Sequence, residues 1–162
     1  LNTELERDVR HFWELLFEIV RDMEKRLAIQ LSDHQLTPPQ FYVLKTLSEH
    51  EGRCRIGQIA DEHHLTNATM TGLIKRLEAR QPPLVLRERN DMDGRSVDVV
   101  LTDAGELRYQ DVQDSFLSQA RTLLHLLPAD ERQQAIARVE YYFRMLVELF
   151  PVEDAEVSNI RE

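Results

Sequence analysis

One cysteine, five glycines and six prolines are few for 162 residues, and each scarcity narrows the reading. A lone Cys54 rules out an internal disulfide and a zinc ribbon. So little Gly and Pro does not suit a disordered chain, and the residues present cluster where turns are expected. No apolar run approaches the roughly 18 residues of a membrane span and no signal peptide is visible, so a cytoplasmic protein is expected, with no membrane partner. Also missing are a Gly-rich phosphate loop, a nucleophile elbow and a metal-ligand spacing. An enzyme therefore has no residue set behind it, and neither a cofactor nor a metal is expected. Internal repeats and low-complexity segments are absent too.

The net charge of −9 suits a nucleic-acid partner only once it is mapped. Between Arg53 and Arg95 there are eight basic residues and six acidic ones, a local +2 that leaves −11 for the remainder. A locally basic lobe on an acidic body still engages phosphates, while the acidic remainder disfavours indiscriminate binding. An ordinary acidic protein with scattered arginines has the same composition, so charge alone does not decide.

The apolar periodicity predicts a mainly helical chain. Leu5, Val9, Phe12, Leu16, Ile19, Met23 and Leu27 step by threes and fours along a helix over 3–33, and Trp13, Phe17 and Val20 widen the stripe enough to need partners on more than one side. A second helix starts at Thr37-Pro38-Pro39-Gln40, with capping-box spacing. A short helix over 56–63 follows. Thr66 or Asn67 caps the next, which runs to about Ala79 and turns Met70, Leu73, Ile74 and Leu77 to one side. Pro82-Pro83 stops it. Leu84–Arg89 and Ser96–Leu101 alternate as two strands around a turn containing Asn90, Asp91 and Gly94. Two long helices close the chain, from Thr102-Asp103 to about Leu126 and from Pro128 to about Phe150. The resulting fold class is mainly α with a small β-hairpin wing (α+β). It is one domain over 1–162, with a winged helix-turn-helix lobe at 37–101, dimerisation helices at 1–36 and 102–150, and a frayed acidic tail at 151–162.

A helix-turn-helix followed by a wing places one helix in the DNA major groove and a loop beside it. On the fourth helix the side opposite the apolar face carries Ala68, Thr71, Gly72 and Lys75, flanked by Thr69 and Arg76, with Thr66 and Asn67 at its start. Small side chains let a helix sink into the groove, and hydroxyls, amides and a cation reach base edges and phosphates. Gly72 costs about 1 kcal/mol in a helix interior, which close approach to DNA offsets. In the wing, Arg87, Arg89 and Arg95 surround the turn; an arginine on a narrow hairpin tip suits the minor groove, and Asp93 is placed to orient Arg95. Each feature singly also describes a solvated helix face or a charged turn; their order along the chain favours DNA.

The runs LTPPQFYVL, IGQIADEHHLTNATMTGLIKRLE and RERNDMDGRSVDVVLTDAG, the last with a D-x-R motif at Asp93-Gly94-Arg95, closely resemble the MarR (multiple-antibiotic-resistance regulator) family of winged-helix transcription factors. The first helix and the last two also fit the family plan. Gln81-Pro82-Pro83 departs from it, standing where the family usually has a shorter glycine-containing link into the wing. The resemblance implies a homodimer held by the terminal helices on a pseudo-palindromic operator of double-stranded DNA, acting as a repressor. It further implies release by a small aromatic or phenolic ligand, for which His11, Phe12, Trp13, Phe17, Phe41 and Tyr42 are candidate wall residues, although plain core packing explains each aromatic singly. The alternatives are an activator, a metal- or redox-responsive regulator of the same fold, and a winged-helix module that binds protein instead of DNA. For redox sensing, Arg53 and Arg55 flank Cys54 in a way that favours its thiolate, against the inertness of most lone cysteines. For metal, Asp61 and Glu62 precede His63-His64, but adjacent helical residues point about 100° apart.

Overall fold

A computed structural model of the chain describes residues 3–90 and 96–151. Asp93, Arg95 and nearly all of the expected acidic tail lie outside the described residues. The elements in order are α1 (Thr3–Asp33), α2 (Pro38–Glu49), β1 (Arg53–Arg55), α3 (Ile56–Glu62), α4 (Asn67–Glu78), β2 (Val85–Arg89), β3 (Val97–Leu101), α5 (Asp103–His125) and α6 (Ala129–Leu149). Among the described residues, no helix is long and apolar enough to cross a membrane.

Local chemistry accounts for most boundaries. α1 opens with Glu4 and Glu6 in its first turn, where the helix dipole favours acids. It ends as Gln35 takes a left-handed φ of 57° and Leu36 N–H donates back to Leu31 O at 2.9 Å. α1 has no base in its last turn. Arg80 supplies one, donating to Gln35 O at 2.6 Å, and Arg108 reaches His34 O. At the start of α2, Thr37 N–H donates to Gln40 Oε1 at 3.1 Å, and prolines occupy positions whose N–H groups have no helical partner. Gly52, at φ 83°, turns the chain from α2 into β1.

The sheet has three antiparallel strands in the order β1-β3-β2, one more than the hairpin expected from the sequence. Cys54 and Arg87 both sit opposite Val99, on its two sides. A three-residue Arg-Cys-Arg strand is too short for its alternation to mark a strand in the sequence. Only pairing with β3 defines it.

The chain divides into two compact units, Leu1–Val112 and Gln113–Glu162, with the boundary inside α5. The first unit holds the core: Leu31, Val43, Leu44, Leu47, Ile59, Met70, Ile74, Leu77, Val85, Val99 and Val112 are all fully buried. Its last helix is docked through a contact only glycine permits. A Cβ on Gly105 would lie 2.0 Å from Leu84 O. Thr102 secures the same junction, donating from Oγ1 to Pro83 O at 2.7 Å and accepting from Gly105 N–H at 3.0 Å. In the second unit, α6 has no buried residue.

Candidate nucleic-acid interface

α4 is positioned by its apolar face. Thr66 caps it, its Oγ1 accepting from Thr69 N–H at 3.2 Å. Met70, Leu73, Ile74 and Leu77 are buried against a scaffold of α2, α3 and β2. Thr66, Asn67, Ala68, Thr69, Lys75 and Arg76 are exposed. Thr71 and Gly72, expected at the centre of the outer face, are half-buried. Each is one residue, about 100°, from a core residue, so they border the exposed face. Among the described residues, nothing beyond its chain neighbours and its own helix backbone lies within 4 Å of a Cβ built on Gly72, so packing against them does not require a glycine there.

The wing strands are tied to the helices by ion pairs not legible in the sequence. Arg87, expected to face DNA, donates from Nε to Glu78 Oε2 at 2.9 Å, and its backbone N–H donates to Glu78 Oε1 at 3.3 Å. Its Nη2 also lies 2.7 Å from Oε2. Arg87 thus joins the C-terminal end of α4 to the first wing strand, whereas Arg89 remains exposed on β2. At the wing base, the buried Asp98 accepts two bonds from Asn90 Nδ2, at 2.9 and 3.0 Å, and one from Arg53 Nη1 at 3.2 Å. Arg53 also pairs with Glu88. The bonds from Asn90 and then Arg53 hold the Asp98 carboxyl below its ordinary value, against the opposing effect of burial. Asp98 and Glu78 were missed because a single acidic residue carries no signal until its partner is brought near, 45 residues away in the case of Arg53 and Asp98.

An exposed polar helix face beside a braced wing is the arrangement that reads duplex DNA, and residues 36–97 match the model of the MarR family. Those residues carry a MarR-family domain. The chain is 29% identical over 124 residues to the HTH-type transcriptional repressor MdtR of Bacillus subtilis, a match spanning 76% of this chain and 73% of that protein. A solved MarR family protein from Bacillus stearothermophilus superposes at a TM-score of 0.71 and 28% identity, over 88% of this chain and 95% of that one. Reduced AbfR bound to DNA superposes at 0.57 and 26% identity, over 91% and 99%. The chain is accordingly a DNA-binding transcriptional regulator and not an enzyme.

The remaining candidate residues lie elsewhere on the chain. Cys54 does not have the activated thiolate expected from its flanking arginines. Strand alternation turns Cys54 inward and both arginines outward, and burial pushes the thiol up from its ordinary value, with Glu62 adding to the shift. The six expected ligand-wall residues fall into two groups. Trp13 and Phe17 pair at 4.6 Å between ring centroids, and both are exposed with His11 and Phe12. Phe41 contacts Tyr42 at 5.9 Å and Tyr109 at 5.8 Å, and Tyr42 contacts His63 at 6.0 Å. α1 is buried at Gln30 and Leu31, about 20 Å along the helix from Phe17, so the two groups do not line one pocket within the chain. His63 bonds to the buried Thr46 at 2.8 Å and His64 is exposed, so the adjacent histidines diverge. His50, Cys54 and Glu62 converge instead, with one donor atom each within 4.8 Å of the others. Their spacing along the chain matches no ligand motif, and the turn into β1 brings them together.

Proposed function

We propose that the chain is a cytoplasmic homodimeric repressor that sets α4 of each copy into the major groove of a pseudo-palindromic operator and is released by a small aromatic ligand. The observation that carries the reading is the exposed side of α4. Thr66, Asn67, Ala68, Thr69, Lys75 and Arg76 offer hydroxyl, amide and cationic groups on a helix whose other side is locked in the core. Thr71 and Gly72 border that surface and allow close approach. Arg89, and Arg95 by sequence, would carry the wing into the minor groove with Asp93 orienting Arg95, while Arg87 braces the wing through Glu78. A protein-binding module would instead present exposed apolar anchors on this face, and Ala68 is its only apolar side chain.

Dimerisation is supported by unpartnered apolar surface. Phe12, Trp13, Phe17 and Met23 on α1, and Val139, Phe143 and Leu149 on α6, are each more than half exposed, more than a soluble monomer ordinarily leaves in water. The aromatic effector is supported by the Phe41, Tyr42, Tyr109 and His63 cluster.

Selection of bound DNA from a random pool tests the reading. It should enrich two inverted half-sites whose centres lie about one helical turn apart. An asymmetric motif, or no enrichment, would overturn it. Repeating the selection with a panel of aromatic acids should identify a compound that releases the DNA. Placing the selected site in a promoter should lower transcription when the protein is present.

A further inference from the structure

We infer that His50, Cys54 and Glu62 form a binding site for a thiophilic divalent transition ion of the Zn²⁺ class. The site stands apart from the interface on α4 and does not depend on the repressor reading. Its donors come from three consecutive elements: His50 is the C-cap of α2, Cys54 the middle of β1 and Glu62 the last residue of α3. His50 Nε2 lies 2.9 Å from Glu62 Oε1, and all three donor atoms are within 4.8 Å of one another.

Bond lengths of about 2.0–2.3 Å to N, O and S set tetrahedral ligand–ligand edges of roughly 3.3–3.6 Å. The His50–Glu62 pair is already inside that edge. Cys54 Sγ needs only a small side-chain adjustment to meet it. An ion–pair contact between an exposed histidine and a glutamate is commonplace by itself. The thiol beside it changes the chemistry, because nitrogen, sulfur and oxygen donors together select a borderline-soft ion. Calcium and magnesium require a shell of oxygens, which this cluster lacks.

Charge also fits. A thiolate, a carboxylate and a neutral imidazole cancel the two positive charges of the ion. Of the two arginines flanking Cys54 on β1, Arg53 is offset by Glu88 and Asp98. Gln58 Nε2 donates to Glu62 Oε1 at 3.2 Å and steadies the carboxylate, as outer partners of metal ligands commonly do. On binding, the ion takes the place of the proton between His50 Nε2 and Glu62, the imidazole proton moves to Nδ1, and the Cys54 thiol releases its proton to solvent as the S–metal bond forms. Three protein ligands leave a fourth position for water.

Reduced, metal-stripped full-length protein titrated with Zn²⁺ against a chromophoric chelator, and separately with Co²⁺, tests the site. One ion should bind per chain, with about one proton released per Zn²⁺ near neutral pH and a sulfur-to-cobalt charge-transfer band. Cys54→Ser should abolish the band. His50→Ala and Glu62→Gln should weaken Zn²⁺ by more than the roughly 10–100-fold lost with an outer-shell partner. Cys54 is buried, so its substitution risks the fold; Glu62 is exposed, and Glu62→Gln tests the site in a folded chain. Absence of the band, unchanged affinity in Glu62→Gln, or loss of binding on His63→Ala or His64→Ala instead would each overturn the assignment.

Discussion

Gly72 isolates the cost of fitting DNA from the cost of folding. Among the described residues, a Cβ there meets nothing within 4 Å outside its chain neighbours and its own helix backbone, and glycine inside a helix forfeits about 0.5–1 kcal/mol relative to alanine. Gly72→Ala should therefore raise stability by about that amount in a urea titration while weakening operator affinity, because the methyl group meets DNA instead of protein. A variant that is both more stable and equally tight would show that the helix does not approach DNA at this residue. Lys75 separates base reading from phosphate contact. Lys75→Ala should cost about 1–3 kcal/mol at particular base positions. An equal loss on every sequence, measured across a panel of altered operators, would assign Lys75 to phosphate alone.

At the scale of the elements, the wing is held at two adjacent rungs of its paired strands, Arg87–Val99 and Glu88–Asp98. Asp98 gathers Asn90 and Arg53 at its base, and its carboxyl is held below the ordinary 3.8. Over the interval between the folded and ordinary values, the unfolded chain binds more protons than the folded one. The stability contributed by Asp98 is thus complete above 3.8 and is lost as pH falls through the lower folded value. Asp98→Asn should be less stable than the parent near neutral pH, and the gap should narrow on acidification below about pH 4; paired denaturant midpoints against pH check this. The Glu78–Arg87 pair holds the neighbouring rung, joining α4 to β2. Because both side chains are about a third exposed, their coupling in a double-mutant cycle should be modest, about 0.2–1 kcal/mol. Its larger effect should be on operator affinity, since the pair sets the wing against the recognition helix. An affinity unchanged by Glu78→Gln would remove that role.

For the whole molecule, the apolar surface of α1 and α6 argues for an obligate dimer. Sedimentation should find no folded monomer at roughly micromolar concentration. The acidic body and locally basic lobe make DNA binding salt-dependent. The slope of log affinity against log salt should approach about 0.9 per phosphate contacted and fall by about one on Arg76→Ala if Arg76 contacts phosphate.

The sequence alone determined the helices and most of the exposed side of α4, because both follow from short-range periodicity and capping. Met70, Leu73, Ile74 and Leu77 repeat at helical spacing and Thr66 caps, which turns most of the rest of that helix outward, although Thr71 and Gly72 are half-buried at its border. The alternation of 97–101 and the prolines before the wing placed the two hairpin strands in the same way. Only the tertiary structure decided the features that join distant residues. β1 exists because Cys54 pairs with Val99, and that pairing buries the thiol that two arginines had seemed to activate. Arg87 pairs with Glu78 because α4 ends beside β2. The aromatic residues of α1 separate from Phe41 and Tyr42 because a long helix carries them about 20 Å away. His50, Cys54 and Glu62 meet because the left-handed turn at Glu51 and Gly52 folds β1 and α3 back onto the end of α2. Periodicity reports which side of an element is buried; the partner that covers it depends on where the chain turns and what it packs against.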